Sequence, residues 1–150
     1  MTQELICQLC GCRTANGWDV NGFGQLKDGR GNICPVTILM PNLAMECEGD
    51  KDKFMKLLSK KIGEAKDMLI ERFEWICKQS PKAASFMFEN NTMAGYIPKE
   101  GIRSALKHGT LAIGQIGLAE TLQILIGKDH TTEEGMILAK EIEGLFAKKC

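Results

Sequence analysis

Between positions 51 and 79, apolar residues recur at three- and four-residue steps: Phe54, Leu57, Leu58, Ile62, Ala65, Met68, Leu69, Phe73, Ile76 and Cys77. That spacing follows the turn of an α-helix and predicts one long amphipathic helix with a single core-facing stripe. Asp50 stands where an N-cap carboxylate accepts a first-turn N–H, and Pro81 stands just past the end. Glu74 and Lys78 are spaced to form an ion pair near the C-terminus of the helix. Ahead of it, residues 33–40 (ICPVTILM) form a short β-prone apolar run, which reads as a buried strand with apolar residues on both faces. Pro35 has no N–H to donate and belongs at the start of that strand or on a sheet edge. Earlier still, Gly11, Gly17, Gly22, Gly24, Gly29 and Gly31 replace helical periodicity with loops and short strands.

Beyond the long helix, residues 82–99 read as an irregular connection with one apolar patch, Phe86-Met87-Phe88. A short helix is expected from about Glu100 to just before Gly109. Another covers 116–126 and stops at Gly127, a residue suited to the left-handed position after a helix. The last helix starts at Thr131-Thr132-Glu133-Glu134, which has the form of a capping box. It carries Ile137, Leu138, Ile142, Leu145 and Phe146 inward and ends at Lys148-Lys149, charges that complement the helix dipole. One strand makes no sheet of its own, so the pattern suits a piece of an α/β architecture whose strand is completed by other segments.

Composition narrows the partners. With 150 residues the chain is long enough for one real core. Nineteen basic and nineteen acidic residues cancel, which removes the basis for nucleic acid or an anionic membrane as a partner. The most apolar stretch, Leu111 to Ile126, is broken by Gly114, Gly117 and Glu120 and does not suit a bilayer span; the N-terminus lacks the features of a signal peptide. A cytoplasmic location is expected. Seven cysteines are an odd count, which argues against a complete disulfide framework. Cys7, Cys10 and Cys12, with Cys34, keep open a non-catalytic metal-binding or interaction module, although the second pair of a four-ligand site is missing. Gly22-x-Gly24 continues to Lys27 instead of a third glycine, so no dinucleotide fingerprint is formed.

Three segments carry candidate chemistry. Cys12, in Gly11-Cys12-Arg13-Thr14, lies in a glycine-flanked loop that can approach other backbone closely; the ordinary role of such a thiol is as a small buried hydrophobe. Cys10, two residues away, would fall on the same side of an extended loop. Asn32 ends Gly29-Arg30-Gly31-Asn32, where it serves either a turn or a site needing a donor and an acceptor without charge. His108-Gly109-Thr110 precedes an apolar run read as helical, where free N–H groups could meet a phosphate; a helix cap is the plainer role for His108. Gly109, Gly114 and Gly117 are expected to permit close helix packing, with Glu120 structural.

In this order, Cys10-Gly11-Cys12-Arg13-Thr14, the run from Gly29 to Ala44, and Lys107-His108-Gly109-Thr110-Leu111-Ala112-Ile113-Gly114-Gln115-Ile116-Gly117-Leu118-Ala119-Glu120 resemble the anaerobic, glycyl-radical (class III) ribonucleoside-triphosphate reductases. The resemblance covers most of residues 5–145. It implies a single segment, 1–150, of a ten-stranded α/β barrel: a finger loop and strand over 1–48, then a mainly helical part over 49–150. It also implies that Cys12 becomes a transient thiyl radical that takes the hydrogen from the ribose 3′ carbon, letting the 2′ hydroxyl leave. Asn32 then lines the site near the ribose, and His108, Gly109 and Thr110 are placed with the substrate. The glycyl radical and formate are implied for a full assembly and not for this chain, and no metal site is implied here. Implied partners are a ribonucleoside triphosphate, the remaining reductase segments, a radical-SAM activating enzyme and a second subunit in a dimer. The nucleotide-sensing domain, the glycyl-radical loop and the zinc-binding cysteines of that family have no counterpart in these residues, so the isolated chain is expected to be inactive.

Overall fold

The computed structural model describes residues 17–18, 25–26, 32–90, 92–93, 95–107 and 109–149. Strands β1 (Gly17–Trp18) and β2 (Gln25–Leu26) form a short antiparallel pair. Strand β3 (Asn32–Leu39) runs straight into helix α1 (Met40–Glu46). Helix α2 follows (Lys51–Cys77), then a 3₁₀ turn (Pro81–Ala84) and helices α3 (Ser85–Glu89) and α4 (Ile102–Leu106). Strand β4 (Thr110–Ile116) and helices α5 (Leu118–Ile126) and α6 (Glu133–Lys149) complete the described order.

The residues divide into two compact units, one drawn from positions up to Pro35 and from Leu69–Ala112, the other from Val36–Met68 and from Ile113 onward. The boundaries fall inside β3, α2 and β4.

The second unit holds the larger core among the described residues. Phe54, Leu58 and Ile62 of α2 are fully buried with Met40, Leu122 and Ile142, and with Ile38, Leu43, Ala44, Leu138 and Phe146 around them. Each such side chain contributes about 1.5–3 kcal/mol by leaving water, which is why a stripe read at helical spacing becomes the centre of the fold. Helix α2 begins as its sequence predicts: the Asp50 carboxylate accepts the Lys53 N–H at 2.9 Å. Helix α5 is bracketed by Gly117 and Gly127, both left-handed, and the Gly127 N–H donates to the Gln123 carbonyl at 2.9 Å. The start of α6 differs from the expected capping box. Thr132 is the cap, its hydroxyl accepting the Gly135 N–H at 3.1 Å, and glycine at that third position has no side chain to reach back. Of the residues expected inward on α6, Leu138, Ile142 and Phe146 are buried and Leu145 half-buried, but Ile137 is 54% exposed. Positions 137 and 138 are a hundred degrees apart on a helix, so only one of them faces the core.

Among the described residues, the first unit is more thinly packed. Phe88, Ile102 and Ala105 are buried, and the Tyr96 ring lies 4.8 Å from that of Phe88. Phe86, beside it, is 72% exposed, so the apolar patch read at 86–88 splits between core and surface. The expected Glu74–Lys78 pair is replaced: Glu74 pairs with Arg103, whose guanidinium lies 5.3 Å from the centre of the Phe73 ring. The Lys78 N–H still donates to the Glu74 carbonyl at 3.2 Å, so the backbone stays helical there and it is the Glu74 carboxylate that is drawn to Arg103 instead.

Two sheet expectations change. Strand β3 has a partner among the described residues, β4, in a stretch read as leading into a helix. Gly109 faces Ile33 in the first unit, while Gly114 faces Thr37 and Gly117 faces Pro41 in the second. Both series rise together, so the strands are parallel. Nor is β3 buried on both faces: Cys34 and Ile38 are buried and Val36 half-buried, whereas Pro35, Thr37 and Leu39 on the other face are exposed. Gly114 does permit a close approach, but of strand to strand, with Thr37 Oγ1 at 3.4 Å from the place a Cβ would take.

Candidate functional site

Asn32, Gly109 and Thr110 lie in the first unit. Asn32 opens β3 and Thr110 opens β4, and because the strands are parallel these two residues begin the pair at the same end. Asn32 is exposed, and Gly109 and Thr110 are half-buried. A turn delivers the chain to β4: the Gly109 N–H donates to the Leu106 carbonyl at 2.9 Å, closing off α4. That N–H is therefore taken, and the chain beyond it is a strand. The phosphate geometry of a helix N-terminus, read from Gly109-Thr110 and an apolar helix, is not the geometry found here.

Packing joins the two strand starts. A Cβ built on Gly109 would stand 2.6 Å from Ile33 Cγ1, closer still to Ile33 Cδ1, and 3.1 Å from the Leu106 carbonyl oxygen. No real side chain tolerates such distances, so the Ile33 side chain occupies the space that glycine leaves. Sequence reasoning missed Ile33, which read only as one apolar residue in a strand. Nothing but its neighbour Asn32 marked it.

Cys10, Cys12 and His108 lie outside the described residues. Of the four cysteines in the metal-module reading, Cys7, Cys10 and Cys12 lie there too, and Cys34 is buried in β3 at 4% exposure. Among the described residues no group of three or more His, Cys, Asp or Glu side chains is placed to hold a metal ion. Burial pushes the Cys47 thiol up, with Glu46 and Asp50 adding to it, and burial likewise raises Cys77. A raised thiol pKa keeps these two protonated and poorly nucleophilic, as expected of packing cysteines. No described helix is long and apolar enough to cross a membrane.

Comparison with known proteins assigns the chain. The family model for anaerobic ribonucleoside-triphosphate reductase matches residues 2–150. The anaerobic ribonucleoside-triphosphate reductase of Salmonella typhimurium is 26% identical over 136 residues, covering 88% of this chain and 19% of that protein. The Escherichia coli enzyme of the same name matches to the same extent, 26% over 136 residues. That of Enterobacteria phage T4 is 24% identical over 127 residues, covering 79% of this chain and 21% of its own length. The chain thus spans about a fifth of the length of these relatives. Matched from residue 2 to residue 150, it belongs to the family of anaerobic ribonucleoside-triphosphate reductases.

Proposed function

We propose that this chain supplies a single segment, 1–150, of the catalytic domain of an anaerobic ribonucleoside-triphosphate reductase, the part bearing the cysteine that attacks the substrate ribose. The observation that carries this is the family match over residues 2–150, which takes in both the Gly11-Cys12-Arg13-Thr14 segment and the strand pair opening at Asn32 and Thr110. In this reading Cys12, as a thiyl radical, takes the hydrogen atom from the ribose 3′ carbon, and the 2′ hydroxyl then leaves as water. Asn32 holds a ribose hydroxyl or the formate reductant; its amide stays neutral throughout and is difficult to oxidise. Residues 108–110 border the substrate, with the Thr110 hydroxyl available as a contact.

A parallel pair is the repeating unit of an α/β barrel, and parallel sheets are ordinarily covered on both faces. The exposed face of β3, with Leu39 at 54% exposure, suits burial by the rest of a ten-stranded barrel. The remaining reductase segments, an activating enzyme of the radical-SAM class and a second subunit are the partners this reading requires.

The test is a Cys12→Ser variant of the complete reductase containing this segment, assayed without oxygen with activating enzyme, formate and a ribonucleoside triphosphate. An O–H bond is much harder to break homolytically than an S–H bond, so no deoxyribonucleotide above background is expected. Retained turnover removes Cys12 from the mechanism, and loss in Cys10→Ser alone moves the role to Cys10.

A further inference from the structure

We infer that Gly109 is a positioning residue, acting through Ile33: the space left by its missing Cβ receives the Ile33 side chain, and this interlock fixes Asn32 relative to Thr110. The inference rests on the reading of Asn32 as a substrate-side group.

The geometry makes the interlock specific. Rotating the outer bond of Ile33 could move Cδ1 away from an added methyl, but Cγ1 at 2.6 Å moves only if χ1 changes. Isoleucine is branched at Cβ, so its χ1 is restricted in a strand. On the other side stands the Leu106 carbonyl, a backbone atom held by the turn bond from the Gly109 N–H. Relief must therefore pass into the backbone at 32–33, the first two residues of β3. Asn32 is one of them. Gly109 has no φ in the left-handed region, so it is space and not backbone freedom that demands glycine here. The contact lies one residue from each of the polar side chains it would align.

The experiment is a cycle of Gly109→Ala, Ile33→Ala and the double variant. Asn32 side-chain amide signals are read by ¹⁵N–¹H NMR on the 150-residue chain, and kcat and KM are read on the complete reductase. Gly109→Ala is expected to shift the Asn32 signals and to lower kcat/KM about tenfold, since misplacing a substrate-orienting group by a fraction of an ångström costs on that order. Ile33→Ala empties the same space and is expected to shift or broaden the Asn32 signals while those of Tyr96, in the nearby core, stay in place. In the double variant the new methyl fills the space that Ile33 vacates, so both readouts return toward wild type. Unmoved Asn32 signals in Ile33→Ala overturn the inference. So does a double variant whose loss is the product of the two single losses, which marks independent effects. Should Gly109→Ala not fold, recovery of folding in the double variant supports the interlock and failure there overturns it. If the wild-type assembly makes no deoxyribonucleotide, the reductase reading fails, while the Asn32 signals still decide the interlock.

Discussion

Phe54 and Phe88 are both buried phenylalanines on helices, yet they sit in different kinds of core. Phe54 is fully enclosed with Met40, Leu58, Ile62, Leu122 and Ile142, all apolar and all at 0% exposure. Phe88 retains 9% exposure and meets Ile102, Ala105 and the tilted Tyr96 ring. Around it the first unit relies on polar ties. The buried Ser104 hydroxyl donates to the Gly101 carbonyl at 2.7 Å and accepts the Ile97 N–H at 2.8 Å, and Arg103 pairs with Glu74. The candidate chemistry lies with the second kind of core. Asn32, Gly109 and Thr110 belong to the thinly packed unit, whereas the apolar mass of the described residues lies in the other. These candidate residues sit where the described apolar burial does least to fix them, which leaves their placement to particular contacts such as Ile33 on Gly109.

The sharpest way to break this contrast is to delete each aromatic ring. Phe54→Ala leaves a cavity in a closed core and is expected to cost about 4–5 kcal/mol; Phe88→Ala, with fewer apolar neighbours, about 3 kcal/mol or less. Denaturant melts of both variants give the comparison, and equal losses would show that the two cores are equally tight.

A smaller effect is expected at two glycines with positive φ. Gly117, at φ +83°, would bring a Cβ to within 2.6 Å of Pro41 Cδ, whereas Gly101, at φ +69°, has nothing within 4 Å. Gly101→Ala should therefore cost only the backbone strain of a conformation nearly confined to glycine, about 2 kcal/mol, and Gly117→Ala about 3 kcal/mol or more once overpacking against a rigid ring is added. Thermal unfolding of the pair tests this, and a Gly101 variant as damaged as the Gly117 one would place hidden neighbours around Gly101.

The smallest expected effect is a matter of pH. The Lys53 N–H bond holds the Asp50 carboxyl below its ordinary value, with the Lys53 charge contributing. A lowered carboxylate stabilises the fold fully above the unfolded value, and that stabilisation fades as pH falls through the folded one. Asn caps a helix as well as Asp but does not titrate. Asp50→Asn should thus match wild type near neutral pH and show a shallower loss of stability on the acid side. Superimposable acid limbs would remove Asp50 from the linkage.

Much of the second unit was legible in the sequence because it is local and periodic. The α2 stripe, apart from Met68 at 40% exposure, the Asp50 cap and the Gly127 stop each depend on neighbours within a turn or so. Strand β4 was not legible. From Thr110 to Ile116 no residue is fully buried and the exposure does not alternate cleanly, and two glycines close by suggested helix packing. Its strand character comes from pairing with β3, nearly eighty positions earlier. The Arg103–Glu74 pair spans twenty-nine positions and the Ile33–Gly109 contact still more, so neither leaves a local mark. Asn32, Gly109 and Thr110 were singled out as candidates by motif. That Gly109 leaves room for Ile33, and that its N–H is bonded to Leu106, needed the fold.

The corner where β3 becomes α1 has no loop at all: Leu39 ends the strand and Met40 begins the helix, with Pro41 wedged against Gly117, the single residue between β4 and α5. Such a joint carries no slack in chain length. One residue inserted after Leu39 would turn Met40, Leu43 and Ala44 a hundred degrees away from the core they share. Length variation should therefore be barred from this corner and confined to exposed turns such as 97–100. A library of single-residue insertions, sorted for folded protein, would draw that boundary directly.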